Sequence, residues 1–276
     1  MTDYRQWTTA ISIKTTELET LMRLKACGVE GVELSISARE CDNIAWEQFR
    51  KNADEAGIRI LSYHLPFSGE VHIASVDEAH RRKMVNYLKG LIQKACAAGI
   101  FRFVIHPSTE PISEEERPYV LEAAKKSLSE LAQFANECGA VLCVENLPRT
   151  CLGRSADEMV ELLSADERLR VCFDVNHLLT VNGSTHREFV GKLGSRIVTT
   201  HMSDYDFVDE KHFFPGYGML NWKEVVELLE EAGYEGPFLY EGGFSPSHWA
   251  SEVPFGTYEM ARDRHMTIKE LTGKNK

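Results

Sequence analysis

The sequence predicts one α/β domain over residues 1–276, a single closed barrel of eight strand–helix units, (β/α)8. Three observations carry that prediction. Short apolar runs alternate eight times with longer amphipathic stretches. Glycine stands just past the end of most of the helical stretches, where a left-handed residue closes a helix. No linker, repeat or low-complexity tract breaks the chain, and 276 residues suit one barrel.

The elements follow in order. Thr8–Ile13 is the first strand, and Thr16–Ala26 the first helix, with Leu18, Leu21, Met22 and Leu24 near one face and a stop at Gly28. Gly31–Ile36 leads to helix Ala45–Ala56, which stops at Gly57. Ile58–His64 leads to Asp77–Ala98 and Gly99, then Phe101–His106 to Glu114–Cys138 and Gly139. Val141–Glu145 precedes the shorter Ser155–Ser164, and Val171–Asp174 precedes Thr185–Leu193. Ile197–His201 leads to Asn221–Ala232 and Gly233, and Phe238–Glu241 to a last helix near Gly256–Leu271. The strands are short and rich in β-branched and aromatic residues, as strands buried on both faces are. The competing open sheet usually has a glycine-rich phosphate loop after its first strand, but Lys14-Thr15-Thr16-Glu17 stands here.

Composition excludes several classes. With 31 Lys and Arg against 42 Asp and Glu, the formal net charge is −11. A general nucleic-acid binder needs basic surface to replace phosphate counterions, so none is expected as partner. A small anionic substrate remains compatible. No apolar run approaches the roughly 18 residues of a membrane span, and the N-terminus does not read as a signal peptide. The seven cysteines are odd in number and form no CxxC pair, and Cys143 and Cys172 sit in apolar runs. A reducing cytoplasm is expected, in which the sequon Asn182-Gly-Ser184 is a chance match.

Seven of the eight apolar runs end on, or shortly after, a carboxylate or imidazole: Glu33, His64, His106, Glu145, Asp174, His201 and Glu241. A barrel gathers its strand C-termini at one face, so these residues converge in space. One such residue is ordinarily a satisfied polar strand end; seven in register point to a site. Imidazole plus carboxylate is a divalent-metal donor set. Glu145, Asp174, His201 and Glu241 come from successive strands and form an oxygen-rich group suited to Mn, Mg or Co, and open to Zn. His177 lies on the loop after Asp174, and His212 in the long loop after the seventh strand.

Other residues carry two readings each. His72, His80, His186, His248 and His265 lie off the strand ends and read as surface or loop residues. Trp7, Phe67, Phe244 and Trp249 either wall a sugar pocket or fill core. Arg149 and Arg154 either meet a substrate phosphate or are solvated loop charges. Glu114-Glu115-Glu116 reads as an acidic helix N-terminus. Glu33 has no evident metal partner. No nucleophile elbow is present.

In this order, Ser62-Tyr63-His64-Leu65-Pro66, Ile105-His106-Pro107, Val144-Glu145-Asn146, Phe173-Asp174-Val175-Asn176-His177, His201-Met202-Ser203-Asp204, His212 to Gly218, and Tyr240-Glu241 carry a resemblance over nearly the whole chain. The chain resembles the xylose-isomerase-like TIM-barrel superfamily, which includes sugar-phosphate isomerases and epimerases, ketose 3-epimerases, inosose-processing enzymes and endonuclease IV. The resemblance implies one divalent ion (Mn, Zn, Co or Mg) on Glu145, Asp174, His201 and Glu241, with Glu145 and Glu241 as acid and base. It also implies that His177 touches a substrate oxygen, and His64, His106 and His212 are expected beside it. Two positions depart from the epimerase pattern: Phe207 replaces an Arg, and Pro215-Gly216-Tyr217-Gly218 replaces Pro-Gly-Glu-Gly.

Endonuclease IV binds three zinc ions, and its ligands correspond to His64, His106, Glu145, Asp174, His177, His201, His212 and Glu241, with Glu210 in place of an Asp. More than one zinc is therefore an alternative. The expected function is a metal-dependent isomerase or epimerase of a sugar, sugar phosphate or polyol-derived ketone, working through a metal-stabilised enediolate. The alternatives are a multinuclear zinc phosphodiesterase and a metal-containing sugar-binding barrel. The expected partner is a small carbohydrate, without nucleic acid or membrane; a homo-oligomer is left open.

Overall fold

The computed structural model describes residues 6–178, 185–215 and 218–242. Eight parallel strands form one sheet in the order β7-β6-β5-β4-β3-β2-β1-β8. They are β1 (Thr9–Ile13), β2 (Gly31–Leu34), β3 (Arg59–His64), β4 (Arg102–Ile105), β5 (Val141–Glu145), β6 (Arg170–Asp174), β7 (Ile197–His201) and β8 (Phe238–Tyr240). First and last strands pair in parallel, Thr9 with Phe238 and Ile11 with Tyr240. The seam between β7 and β8 is joined by a bridge from Met202 to Tyr240. Two backbone bonds support it, from Met202 N–H to Leu239 O at 2.8 Å and from Glu241 N–H to Met202 O at 3.3 Å. The predicted single (β/α)8 TIM barrel is what forms.

The helices between the strands are α1 (Leu18–Ala26), α2 (Trp46–Ala56), α3 (Glu78–Ala97), α4 (Arg117–Glu137), α5 (Ala156–Leu163), α6 (His186–Leu193) and α7 (Trp222–Glu231). Each buries one stripe against the sheet. In α3 that stripe is Met84, Val85, Leu88, Leu91, Ile92 and Ala95, spaced as one helical face requires. Each fully buried Leu or Ile stabilises by roughly 1.5–3 kcal/mol. Gly57 closes α2 at φ 66°, a left-handed conformation that glycine adopts without steric cost. Thr185 and Glu188 form a reciprocal capping box at the start of α6.

Several boundaries differ from the expectation. Helix α4 starts at Arg117, because residues 114–116 form a turn and Pro118 stands in the first helical turn. Glu114 to Glu116 therefore precede the helix. Met22 is exposed, while Leu21 and Leu24 carry the buried face of α1. Strand β2 stops at Leu34. The predicted helix Gly256–Leu271, the sequon, and Phe244, His248, Trp249 and His265 lie outside the described residues. Among the described residues no helix is long and apolar enough to cross a membrane.

Side chains two apart on a strand share a face. A small inner cluster of Val104, Cys143 and Cys172 is separate from the main core between sheet and helices. Cys143 therefore stands below Glu145, Cys172 below Asp174, and Val104 below His106. Small apolar groups fill the narrow barrel axis, and polar groups occupy the next layer towards the strand C-termini.

Candidate functional site

Glu145 ends β5, Asp174 ends β6, His201 ends β7, and Glu241 follows β8. One donor atom of each lies within 4.8 Å of the others. His201 Nδ1 stands 3.1 Å from Glu145 Oε1, 2.9 Å from Glu241 Oε2 and 3.9 Å from Asp174 Oδ2. Its approach to Glu145 is a hydrogen bond. Asp174 Oδ2 and Glu241 Oε2 are buried without a hydrogen-bond partner among the described residues.

Carboxylate oxygens left dry in this way are costly unless a cation meets them. Donor separations near 3–4 Å are also the edges of a coordination shell with bonds of about 2.0–2.2 Å. The residues fit a divalent cation on both counts. The electrostatics agree. Burial, with Glu241 and Glu145 adding to it, pushes the Asp174 carboxyl up to about 7 against the pull of His177 and His212. Burial lowers the His201 pKa, but Cys172, Glu241, Glu145 and Glu33 raise it well above its ordinary value.

Glu33, whose role the sequence left open, holds the far side of His201. Its Oε1 lies 2.9 Å from His201 Nε2, and its Oε2 accepts from Ser62 Oγ at 2.6 Å. Held through Nε2 by Glu33, the ring turns Nδ1 towards Glu145, Asp174 and Glu241. Such a carboxylate partner fixes a ligating imidazole's tautomer and ring orientation. The signal in the sequence was Glu33's place at a strand end. Asn146 was quoted only as part of a motif, yet it ties β5 to β6. Its Nδ2 donates to Asp174 O, and its Oδ1 accepts from Asp174 N–H, each at 2.9 Å.

The remaining predicted imidazoles form two groups. His64 Nε2 and His106 Nε2 lie 3.1 and 3.3 Å from Glu145 Oε2, so Glu145 is shared between its two sides. His64 Nδ1 bonds Leu65 O at 2.9 Å, and its Nε2 hydrogen-bonds the Glu145 carboxylate. Burial lowers the His64 pKa, but Glu145 and Glu33 raise it above its usual value. His106 goes the other way, lowered chiefly by burial. On the opposite side, Glu210 Oε1 lies 2.6 Å from His212 Nε2 and 3.4 Å from His177 Nε2. His177 Nδ1 bonds Asn146 O at 2.9 Å, and its pKa is raised to about 10, Asp174 and Glu210 outweighing burial. His64–His106–Glu145 and His177–Glu210–His212 are each compact enough to hold a cation.

The loops correct other expectations. Arg149 is neither free for a phosphate nor simply solvated. It bonds Glu110 at 2.8 Å, Asp209 at 3.1 Å and Glu210 at 2.8 Å, with its own backbone at φ 53°. Arg154 pairs with Glu114 at 2.8 Å. Phe67 is half exposed and stacks on His106 with ring centroids 3.7 Å apart, as a pocket wall would. Trp7 is core, set edge-on to Tyr234. His186 is half-buried against Val175 O at 2.8 Å rather than on the surface, and His72 and His80 are half-buried beside each other.

The chain is similar to several known proteins. The uncharacterized protein MJ1311 of Methanocaldococcus jannaschii is 31% identical over 191 residues, 64% of this chain and 62% of that protein. A D-psicose 3-epimerase of Enterocloster bolteae is 24% identical over 264 residues, 88% of this chain and 84% of that one. A crystal structure of a D-psicose 3-epimerase in the presence of D-fructose superposes with a TM-score of 0.78 at 17% identity, covering 96% of this chain and 99% of that one. The family model described as xylose isomerase-like TIM barrel matches residues 21–255, a span that holds every strand-end carboxylate and imidazole of the site. The chain belongs to the xylose isomerase-like TIM barrel family.

Proposed function

We propose that this chain is a divalent-metal-dependent epimerase or isomerase of a small carbohydrate: a sugar, a sugar phosphate or a polyol-derived ketone. The observation that carries the reading is the convergence of Glu145, Asp174, His201 and Glu241, with two buried carboxylate oxygens that lack a hydrogen bond among the described residues. These four side chains would hold one ion, Mn, Co, Zn or Mg, on an oxygen-rich donor set. Such an ion supplies positive charge that polarises a substrate oxygen and stabilises an enediolate.

Glu145 and Glu241 act as base and acid. Burial raises both pKa values, but His201 with His106 brings Glu145 well below the carboxylate range, and His201 does the same for Glu241. Both are therefore ionised at neutral pH and able to accept a proton from carbon. The carboxylate that takes the proton becomes the acid for its return. We assign His64, His106, His177 and His212 to the substrate oxygens, and Phe67 to the apolar face of the ring. The name D-psicose 3-epimerase, borne by a relative and a structural neighbour, supports a ketose-like substrate. All seven cysteines are free, which supports a reducing cytoplasm.

The test is proton exchange with solvent. Wild-type protein incubated in deuterium oxide with a panel of ketoses and ketose phosphates should place deuterium on one carbon, read by NMR. Glu145→Gln and Glu241→Gln should abolish it. Metal bound with no exchange on any candidate would leave a sugar-binding barrel.

The groups His64–His106–Glu145 and His177–Glu210–His212 favour one second reading, a multinuclear zinc phosphodiesterase. Against it stand the net charge of −11 and the commitment of Arg149 and Arg154 to acids. Anomalous scattering separates the two: a single ion supports the epimerase, and three ions the phosphodiesterase.

A further inference from the structure

We propose that the protein binds a small phosphate monoester at the N-terminal end of its barrel, in a pocket built around Arg50, Arg59 and Arg102. A cavity of about 400 Å³ lies there, lined by residues of α2, Gly99, the first residues of β3 and β4, and Val141 of β5. The carboxylate and imidazole site occupies the C-terminal ends of the same strands, so the two lie at opposite ends of the barrel.

Three guanidinium groups from three elements line this cavity, and Asp54 is the one carboxylate among them. In a chain of net charge −11, that is a local reversal of sign. Arg50 pairs with Asp54 at 3.1 Å, and Arg59 donates to Thr8 Oγ1 at 2.7 Å. Arg102 differs from both. It shares a face of β4 with Val104, which belongs to the inner cluster, so its side chain enters the barrel from below. Its Nε is buried with no hydrogen-bond partner among the described residues. A guanidinium offers five donors in a planar fork, and a buried donor without an acceptor is unfavourable.

The rest of the cavity describes the body of the ligand. Phe101 is 51% exposed and lines it, beside Ile58, Ile60, Leu61 and Val141. Gly99, at φ +82°, keeps the rim open: a Cβ there would stand 3.2 Å from Arg50 Nη1. Three arginines against one aspartate leave two positive charges, which match a phosphate dianion bound in a fork-to-fork manner. The apolar wall suits a ring carried on that phosphate. The volume falls within the range of about 300–1,000 Å³ typical of small-molecule sites.

Calorimetric titration with phenyl phosphate, compared with inorganic phosphate and with phenol, tests the proposal on the whole protein. Phenyl phosphate should bind one to one and tighter than either comparison probe. Arg102→Gln should weaken it by about tenfold or more, the weight of a charge-assisted hydrogen bond, while His201→Ala at the other end should leave it unchanged. Phe101→Ala, a change at an exposed position, should bring phenyl phosphate down to the level of inorganic phosphate. Should Arg102→Gln fail to fold by thermal melt, Arg59→Gln and Phe101→Ala decide. Absence of saturable binding up to about 10 mM, or unchanged binding in the folded variants, overturns the proposal.

Discussion

His201 and Glu33 form a buried pair, Nε2 to Oε1 at 2.9 Å, in which neither side chain reaches solvent. The pair couples β7 to β2 across the barrel and aims the other ring nitrogen at the three carboxylates of the site. Glu33→Ala should leave those carboxylates in place yet free the ring to turn. Metal affinity should fall by about 10–100-fold, as loss of a carboxylate behind a ligating histidine typically causes. Titration of the metal-stripped protein with Mn or Zn reads this, and unchanged affinity would remove Glu33 from the site.

His201→Ala should lower metal occupancy more than His177→Ala. His201 Nδ1 lies within 3.1 Å of two carboxylates of the four-residue group, whereas His177 Nε2 faces Glu210. Metal content by atomic absorption distinguishes them. Equal losses would indicate a multinuclear site that includes His177.

Metal-free protein should lose stability as pH rises from about 6 to 10. The Asp174 carboxyl, raised to about 7, binds more protons folded than unfolded in the lower part of that window, and the His177 imidazole, raised to about 10, does so through the rest. Stability therefore falls as either group loses its proton. Glu145 and Glu241 are shifted downward and act in the opposite sense only below the ordinary carboxylate value of 4.5. With a divalent ion bound, the ligands are already deprotonated and the slope should flatten. Thermal melts across pH, with and without chelator, measure both arms; a flat chelated profile contradicts the assignment.

Arg117→Met should destabilise the fold by about 3–5 kcal/mol. Its guanidinium bonds Glu158 at 2.6 and 2.7 Å and the carbonyls of Thr150 and Cys151 at 2.9 and 2.6 Å, so it pins the loop that follows Glu145. The variant leaves Glu158, largely buried, without its ion-pair partner and with only the N–H groups of Gly153 and Arg154 on one oxygen. Urea unfolding reads the change, and a loss below about 1 kcal/mol would mean that the loop holds without this arginine.

Abasic DNA should not bind at physiological salt. A chain of net charge −11 repels a polyanion unless a basic track forms. Arg149 is occupied by Glu110, Asp209 and Glu210. Titration of a labelled abasic duplex with zinc supplied is the measurement. Submicromolar binding with a steep salt slope, and incision, would replace the carbohydrate reading with the nuclease one.

The barrel and the strand-end set were legible because both depend on local patterns: apolar runs, glycine stops, and polar residues at the ends of the runs. Cys143 below Glu145 and Cys172 below Asp174 show that pattern in space. What escaped depended on distant partners. Arg149, on the loop after β5, reads as a free cation until the loops after β4 and β7 bring three acids to it. Met22 fits an apolar stripe, but nothing in the sequence says where the sheet's coverage of α1 ends. Glu33 needed the fold to meet a histidine 168 positions away.

The seam between β7 and β8 gives the site a mechanical character. His201 stands on one side of that joint and Glu241 on the other, 2.9 Å apart. Around them the two strands are held by one bridge and two backbone bonds rather than by a continuous ladder. A cation gripped by both side chains would act as the buckle of the hoop. Ion binding and ring closure would then be one event, and amides at Met202 and Glu241 should be the first in the barrel to exchange with solvent when that buckle is undone.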